Sequence, residues 1–151
     1  MTQECISKNV YLADDDEDDR MFFREALKEI CKGSHLIMAT DGWELMDILH
    51  SPPNPLPDII FLDINMPRKN GLECLEEIKK DAKLKDLPII IFSTTKQGLS
   101  IDKSYSEGAN YFISKPNDHG KLKRTLKKVM LIDWKNEPKF ISKEEFVLSV
   151  A

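Results

Sequence analysis

Cysteine is scarce in this chain: Cys5, Cys31 and Cys74 are the only three in 151 residues, with no C-x-x-C pair and no zinc-ligand spacing. That excludes a fold stapled by closely spaced disulfides, and the odd, scattered set reads as reduced thiols of a cytoplasmic protein. No apolar run approaches the ~18 residues needed to span a bilayer. The start, MTQECISKNV, lacks a charged segment followed by a long apolar stretch, so no signal peptide is expected. Neither sign of charge dominates, with 22 Lys+Arg against 26 Asp+Glu and a net charge of -4. Nucleic acid is therefore not the expected partner, since phosphate-backbone binding needs a clustered basic surface. There is no internal repeat and no low-complexity linker. What is present is ordinary for a water-soluble domain: 41% hydrophobic and 32% charged residues, in a length that fits one domain of about 100–200 residues.

Alternation organises the chain. Short apolar runs, rich in branched and aromatic residues, stand at Val10–Ala13, Leu36–Ala39, Ile59–Leu62, Ile89–Phe92 and Tyr111–Ile113. Each is too short for a helix and reads as a buried strand. Between them apolar residues recur at helical spacing: Phe22, Phe23, Ala26, Leu27 and Ile30; Leu45, Met46 and Leu49; Leu72, Leu75 and Ile78; Leu122, Leu126, Val129 and Met130. The stretch Thr95–Glu107 is the weakest helix, with Gly98 inside it and Leu99, Ile101 and Tyr105 as anchors. Gly33, Gly42, Gly71 and Gly108 punctuate boundaries, and SPPNPLP (Ser51–Pro57) is a loop. Five strands alternating with five helices predict an α/β domain with a parallel sheet covered on both faces. Right-handed crossovers favour a doubly wound (βα)5 sheet of order 2-1-3-4-5, with its ligand crevice at the carboxyl ends of strands 1 and 3. This domain occupies residues 1–132. Residues 133–151 form an extension whose Trp134, Pro138, Phe140, Phe146 and Val147 suffice to dock but not to make a domain.

Polar residues stand just beyond the strands. The first ends in Asp14-Asp15-Asp16-Glu17-Asp18-Asp19, the third in Asp63 followed by Asn65 and Pro67, the fourth in Ser93-Thr94-Thr95, the fifth in Ser114-Lys115-Pro116. Parallel topology brings all four clusters to one edge of the sheet. Acids, hydroxyls and a lysine in one pocket suit phosphoryl transfer to a carboxylate, where cations offset charge repulsion. Magnesium takes oxygen ligands and is usually held by one or two carboxylates, phosphate oxygens and water. Asp14 and Asp15 can supply those carboxylates beside Asp63. Lys115 supplies a point charge for a phosphate oxygen, and Ser93 or Thr94 a hydroxyl donor. Asp16 to Asp19 divide evenly between this role and a helix N-terminus favoured by the macrodipole. An acid directly after Ile-Ile-Phe-Leu in a buried strand, by contrast, is costly without a task. Met38 and Met66 read as packing.

ADDDEDD after strand 1, DIIFLDINMPRKNGLECLEEIK through strand 3, PIIIFSTT at strand 4 and GANYFISKP at strand 5 resemble the receiver domain of two-component response regulators, the CheY-like family. The resemblance covers about residues 8–132 and implies a flavodoxin-like fold. It also implies that Asp63 is the phosphorylated aspartate, that Asp14 and Asp15 form the acidic pair of a Mg2+ site, and that the Asn65 backbone carbonyl is a further metal ligand. Ser93 is then the switch hydroxyl, Lys115 the contact to the phosphoryl group, and Phe112 the aromatic switch residue, without the hydroxyl of the more usual tyrosine. The implied partners are a sensor histidine kinase or a histidine phosphotransfer protein, with a downstream protein target bound through helix 4, strand 5 and helix 5. A monomer and a homodimer both fit. No DNA-binding or catalytic output domain is recognisable past residue 132, and the acid-rich start resembles single-domain regulators serving phytochrome-type kinases.

Three other readings compete. Asp14, Asp16, Asp18 and Glu25 fall at positions 1, 3, 5 and 12 of a calcium-binding EF-hand loop, but Asp19 stands where its sharp turn wants glycine. A phosphatase of the haloacid dehalogenase type needs a second acid two residues after its aspartate, where this chain has Asn65. A receiver-like scaffold that takes no phosphate is the third.

Overall fold

The computed structural model describes residues 7–51, 55–94, 98–138 and 141–148. Five parallel strands, β1 (Asn9–Ala13), β2 (His35–Ala39), β3 (Ile59–Leu62), β4 (Ile89–Ser93) and β5 (Tyr111–Ser114), lie in the order β2-β1-β3-β4-β5. The helices α1 (Glu17–Ile30), α2 (Gly42–His50), α3 (Gly71–Lys80), α4 (Gly98–Ser106) and α5 (His119–Met130) connect them in turn. This is the expected flavodoxin-like arrangement.

The three central strands are buried from end to end except for the half-buried Asn9, as strands covered on both faces must be. Their alternate residues feed two cores. Tyr11, Ala13, Ile60, Leu62, Ile89, Ile91 and Phe112 point toward α2, α3 and α4. Val10, Leu12, Ile59, Phe61, Ile90 and Phe92 point toward α1 and α5. In that second core Phe23, Phe61 and Phe92 meet edge to face, with ring centroids 4.9 to 6.1 Å apart.

Local chemistry sets where the helices begin. Asp16, Asp41, Asn70 and Asp118 cap α1, α2, α3 and α5, each accepting the backbone N–H three residues on. Asn70 and Glu73 complete a reciprocal capping box. Gly71 permits a close approach: a Cβ there would lie 2.1 Å from the Asp63 carbonyl oxygen. The start of α3 is thus laid directly on the end of β3.

Some expectations shift. Helix α4 is described from Gly98 to Ser106, and Thr95, Lys96 and Gln97 lie outside the described residues. So do Cys5, Phe140 and part of the Ser51–Pro57 loop. Phe22 faces solvent, 46% exposed, while Phe23 carries the α1 packing. The reading of three reduced thiols is corrected: Cys31 is disulfide-bonded, because spacing along the chain does not reveal proximity in space. That removes the thiol argument for a reducing compartment. Cys74 is free and buried, its thiol pushed up to about 12 chiefly by desolvation, which makes it inert at neutral pH.

Beyond α5 the chain turns back. A short helix α6 (Lys143–Phe146), capped by Ser142, sits on α4 and β5, and Val147 makes a parallel bridge to Phe112. No helix among the described residues is long and apolar enough to cross a membrane.

Candidate functional site

Strand register builds the site. Ala13 pairs with Leu62, so Asp14 and Asp63 leave the sheet side by side, and the Asp63 amide donates to the Ala13 carbonyl at 3.0 Å. Ser93 pairs with Ser114, and the Lys115 amide donates to the Ser93 carbonyl at 2.9 Å. Four chain segments therefore end at one rim. Asp14 is 1% exposed and Asp63 4%, and Ser93 is fully buried.

Lys115 lies at the centre. Its ammonium is 2.7 Å from Asp14 Oδ2, 2.8 Å from Asp19 Oδ2 and 3.0 Å from Asp63 Oδ2. Burial alone would lower its pKa, but the close carboxylates of Asp14 and Asp19 and the charge of Asp63 outweigh burial and raise it. It stays a cation. The Asp14 carboxyl is pushed up to about 6, mainly by desolvation, which exceeds the opposing effect of Lys115 and the Asp16 amide. Burial thus acts against the charged form of both groups, and only for Lys115 do its charged neighbours outweigh it.

The acidic group has room for more positive charge. One carboxylate oxygen from each of Asp14, Asp15 and Asp63 lies within 4.8 Å of the others. Asp14 Oδ2 is buried with no hydrogen-bond donor; its 2.7 Å approach to Lys115 is a charge contact without hydrogen-bond alignment. Clustered carboxylate oxygens with an orphaned lone pair fit a hard divalent cation. The residues present match a magnesium site.

The loop after β3 is held from both sides. Asn65 donates its amide to Asp63 Oδ1 at 3.2 Å, which closes a tight turn directly after β3. Further on, Arg68 has a left-handed backbone (φ 64) and donates Nε to Asp41 Oδ2 at 2.8 Å, while its guanidinium lies 5.2 Å over the Trp43 ring. The Gly42 amide donates to the Lys69 carbonyl at 3.0 Å. The β3–α3 loop is thus tied to the start of α2.

Asp14, Asp15, Asp63, Ser93 and Lys115 come to the same rim, as the strand-end pattern predicts. Thr94 is exposed beside it. Phe112 lies fully buried within β5, three residues before Lys115. Asp16 spends its carboxylate on the α1 cap, and Asp18 and Glu25 are not in the acidic cluster, so the calcium-loop pattern does not assemble. Arg20 was not singled out by sequence reasoning, and Asp19 was divided evenly between the site and a helix N-terminus. Asp19 pairs with Lys115 although it lies one turn into α1, and Arg20 Nη1 donates to the Asp14 carbonyl at 2.8 Å. Their spacing from Asp15 on a helix that starts at the site was the available signal.

A doubly wound parallel sheet with acids at the ends of β1 and β3 and a lysine after β5 defines the receiver class. This chain belongs to the response regulator receiver domain family, which residues 10–127 match. It is 31% identical over 112 residues to the response regulator Rcp1 of Synechocystis sp. (strain ATCC 27184 / PCC 6803 / Kazusa), covering 72% of this chain and 76% of that protein. The phosphorylated cyanobacterial phytochrome response regulator RcpA has a TM-score of 0.77 at 31% identity, covering 82% of this chain and 91% of that one. The Mn(2+)-bound form of Rcp1 has a TM-score of 0.76 at 27% identity, covering 87% and 97%. It is a signalling domain of two-component systems.

Proposed function

We propose that Asp63 accepts a phosphoryl group from the phosphohistidine of a sensor histidine kinase or histidine phosphotransfer protein, with Mg2+ at Asp14, Asp15, Asp63 and the Asn65 carbonyl. The observation that carries this is the buried Lys115 ammonium, 3.0 Å from Asp63 and 2.7 Å from Asp14. A carboxylate oxygen of Asp63 forms a bond to phosphorus while the N–P bond of the donor breaks, and its electron pair stays on the imidazole nitrogen. Lys115 holds charge of the new phosphate, and the Ser93 hydroxyl, with Thr94 beside it, donates to a phosphate oxygen. The divalent ion supplies further neutralisation of the transferring group. Asn65 has no proton to shuttle, so hydrolysis is slow and the acyl phosphate lasts as a signal.

That RcpA is a phosphorylated response regulator and that Rcp1 has a Mn(2+)-bound form supports the same chemistry here. Residues 1–132 act as the receiver and 133–151 as an extension, in the cytoplasm, as monomer or homodimer. The downstream protein reads the α4–β5–α5 surface, whose α4–β5 side carries α6. Intact-mass measurement after incubation with acetyl phosphate should show one added phosphoryl group with Mg2+, much less with EDTA, and none for Asp63→Asn. Undiminished labelling of Asp63→Asn would defeat the assignment.

A further inference from the structure

Residues 141–148 occupy the edge of the sheet that would otherwise be open at β5. The Leu148 amide donates to the Phe112 carbonyl at 2.9 Å, and Val147 bridges to Phe112. Phe146, 1% exposed, packs edge to face on Tyr105 of α4 at 5.2 Å and tilted against Phe112 at 6.4 Å. The Tyr105 hydroxyl donates to the Ile141 carbonyl, and Lys143 pairs with Asp102 of α4. Backbone pairing, a buried aromatic anchor and a charge pair together make the pattern of a peptide added to a sheet edge. The occupant is this chain's own segment.

Its position matters because of Phe112. That ring is fully buried with Phe146 against it, so a change of its rotamer must repack Phe146. The same strand ends at Lys115, and Phe112 pairs with Ile91, two residues before Ser93. The docked segment therefore holds the Phe112 ring in its buried position, on the strand that leads into Lys115. Two events that favour one conformation of a shared element must favour each other, by equal factors.

We propose that segment 141–148 is a resident ligand of the α4–β5 face whose docking, through Phe112, is thermodynamically linked to the phosphoryl state of Asp63, each strengthening the other. The proposal rests on the phosphoacceptor reading above. A protein that binds the α4–β5 face must then either read the docked segment or displace it, and displacement would weaken phosphoryl retention.

Beryllium fluoride with Mg2+, a non-covalent mimic of an acyl phosphate, tests the linkage at equilibrium on the full chain. Phe146→Ala should weaken its binding by about fivefold or more, the lower range of coupling between sites. Should that variant fold poorly, the exposed pair gives a second reading. Lys143→Asp should weaken binding by about twofold, in keeping with a surface ion pair, and adding Asp102→Lys should restore it. Reciprocally, saturating beryllium fluoride should slow hydrogen exchange at the Leu148 amide in the wild type. Unchanged affinity in the variants, or unchanged exchange at Leu148, overturns the linkage while leaving the phosphoacceptor reading intact. A wild-type chain that takes up neither beryllium fluoride nor phosphoryl from acetyl phosphate overturns both.

Discussion

The ammonium of Lys115 is the counter-ion for acids that have left water, and its side chain is 8% exposed. Removing one side of a buried ion group leaves the other uncompensated, which costs about 3–5 kcal/mol. Lys115→Met should lower stability by about 3 kcal/mol in metal-free urea titrations, and Mg2+ should recover more stability in the variant than in the wild type. Asp41 offers a test at the acid end. The Glu44 amide and then the Arg68 guanidinium hold its carboxyl below the usual carboxylate range. A depressed folded-state pKa contributes stability that is complete above the unfolded value of about 3.9 and disappears as pH falls through the folded value. Asp41→Asn should therefore cost stability at pH 7 and flatten the loss below about pH 4, measured by thermal melts across pH 3–7. At this scale the sequence was legible where an acid or a base stood next to a buried strand, as at Asp14, Asp63 and Lys115. It was silent on Arg68, whose role depends on a left-handed turn and on an acid 27 residues away.

Elements with a strong apolar period were readable, and those held by their neighbours were not. All five strands fall within a residue or so of their apolar runs, and in the three central ones burial on both faces leaves little room for polar residues. Helix α4 has a thin apolar face, and only Ser104 within it is fully buried. Helix α6 spans four residues, too few for a period, and is fixed by Phe146 and the Ser142 cap. The junction of β3 and α3 is the tightest passage. Gly71→Ala should force the loop carrying Asn65 to move, with a stability loss of about 1–3 kcal/mol and slower labelling by acetyl phosphate in a time course. Phe61→Ala should cost about 3–5 kcal/mol in urea titrations through the cavity left between Phe23 and Phe92.

For the molecule as a whole, strand order followed from alternation and handedness, and the location of the site followed from strand order. The return of residues 141–148 onto β5 did not, since an apolar tail announces that it will dock without saying where. The disulfide at Cys31 was likewise unreadable from cysteine spacing. One feature of the sheet reaches into the protein's synthesis. The rim is assembled from residues as far apart in the chain as 14 and 115, and β5 is an outermost strand of the sheet. On the phosphoacceptor reading proposed above, a nascent chain that has delivered Asp63 but still holds Lys115 inside the ribosome would have the nucleophile without its cation. Competence to receive a signal should arrive in one step, when the last strand joins, so truncated translation products are mute and cannot draw phosphoryl groups away from finished copies.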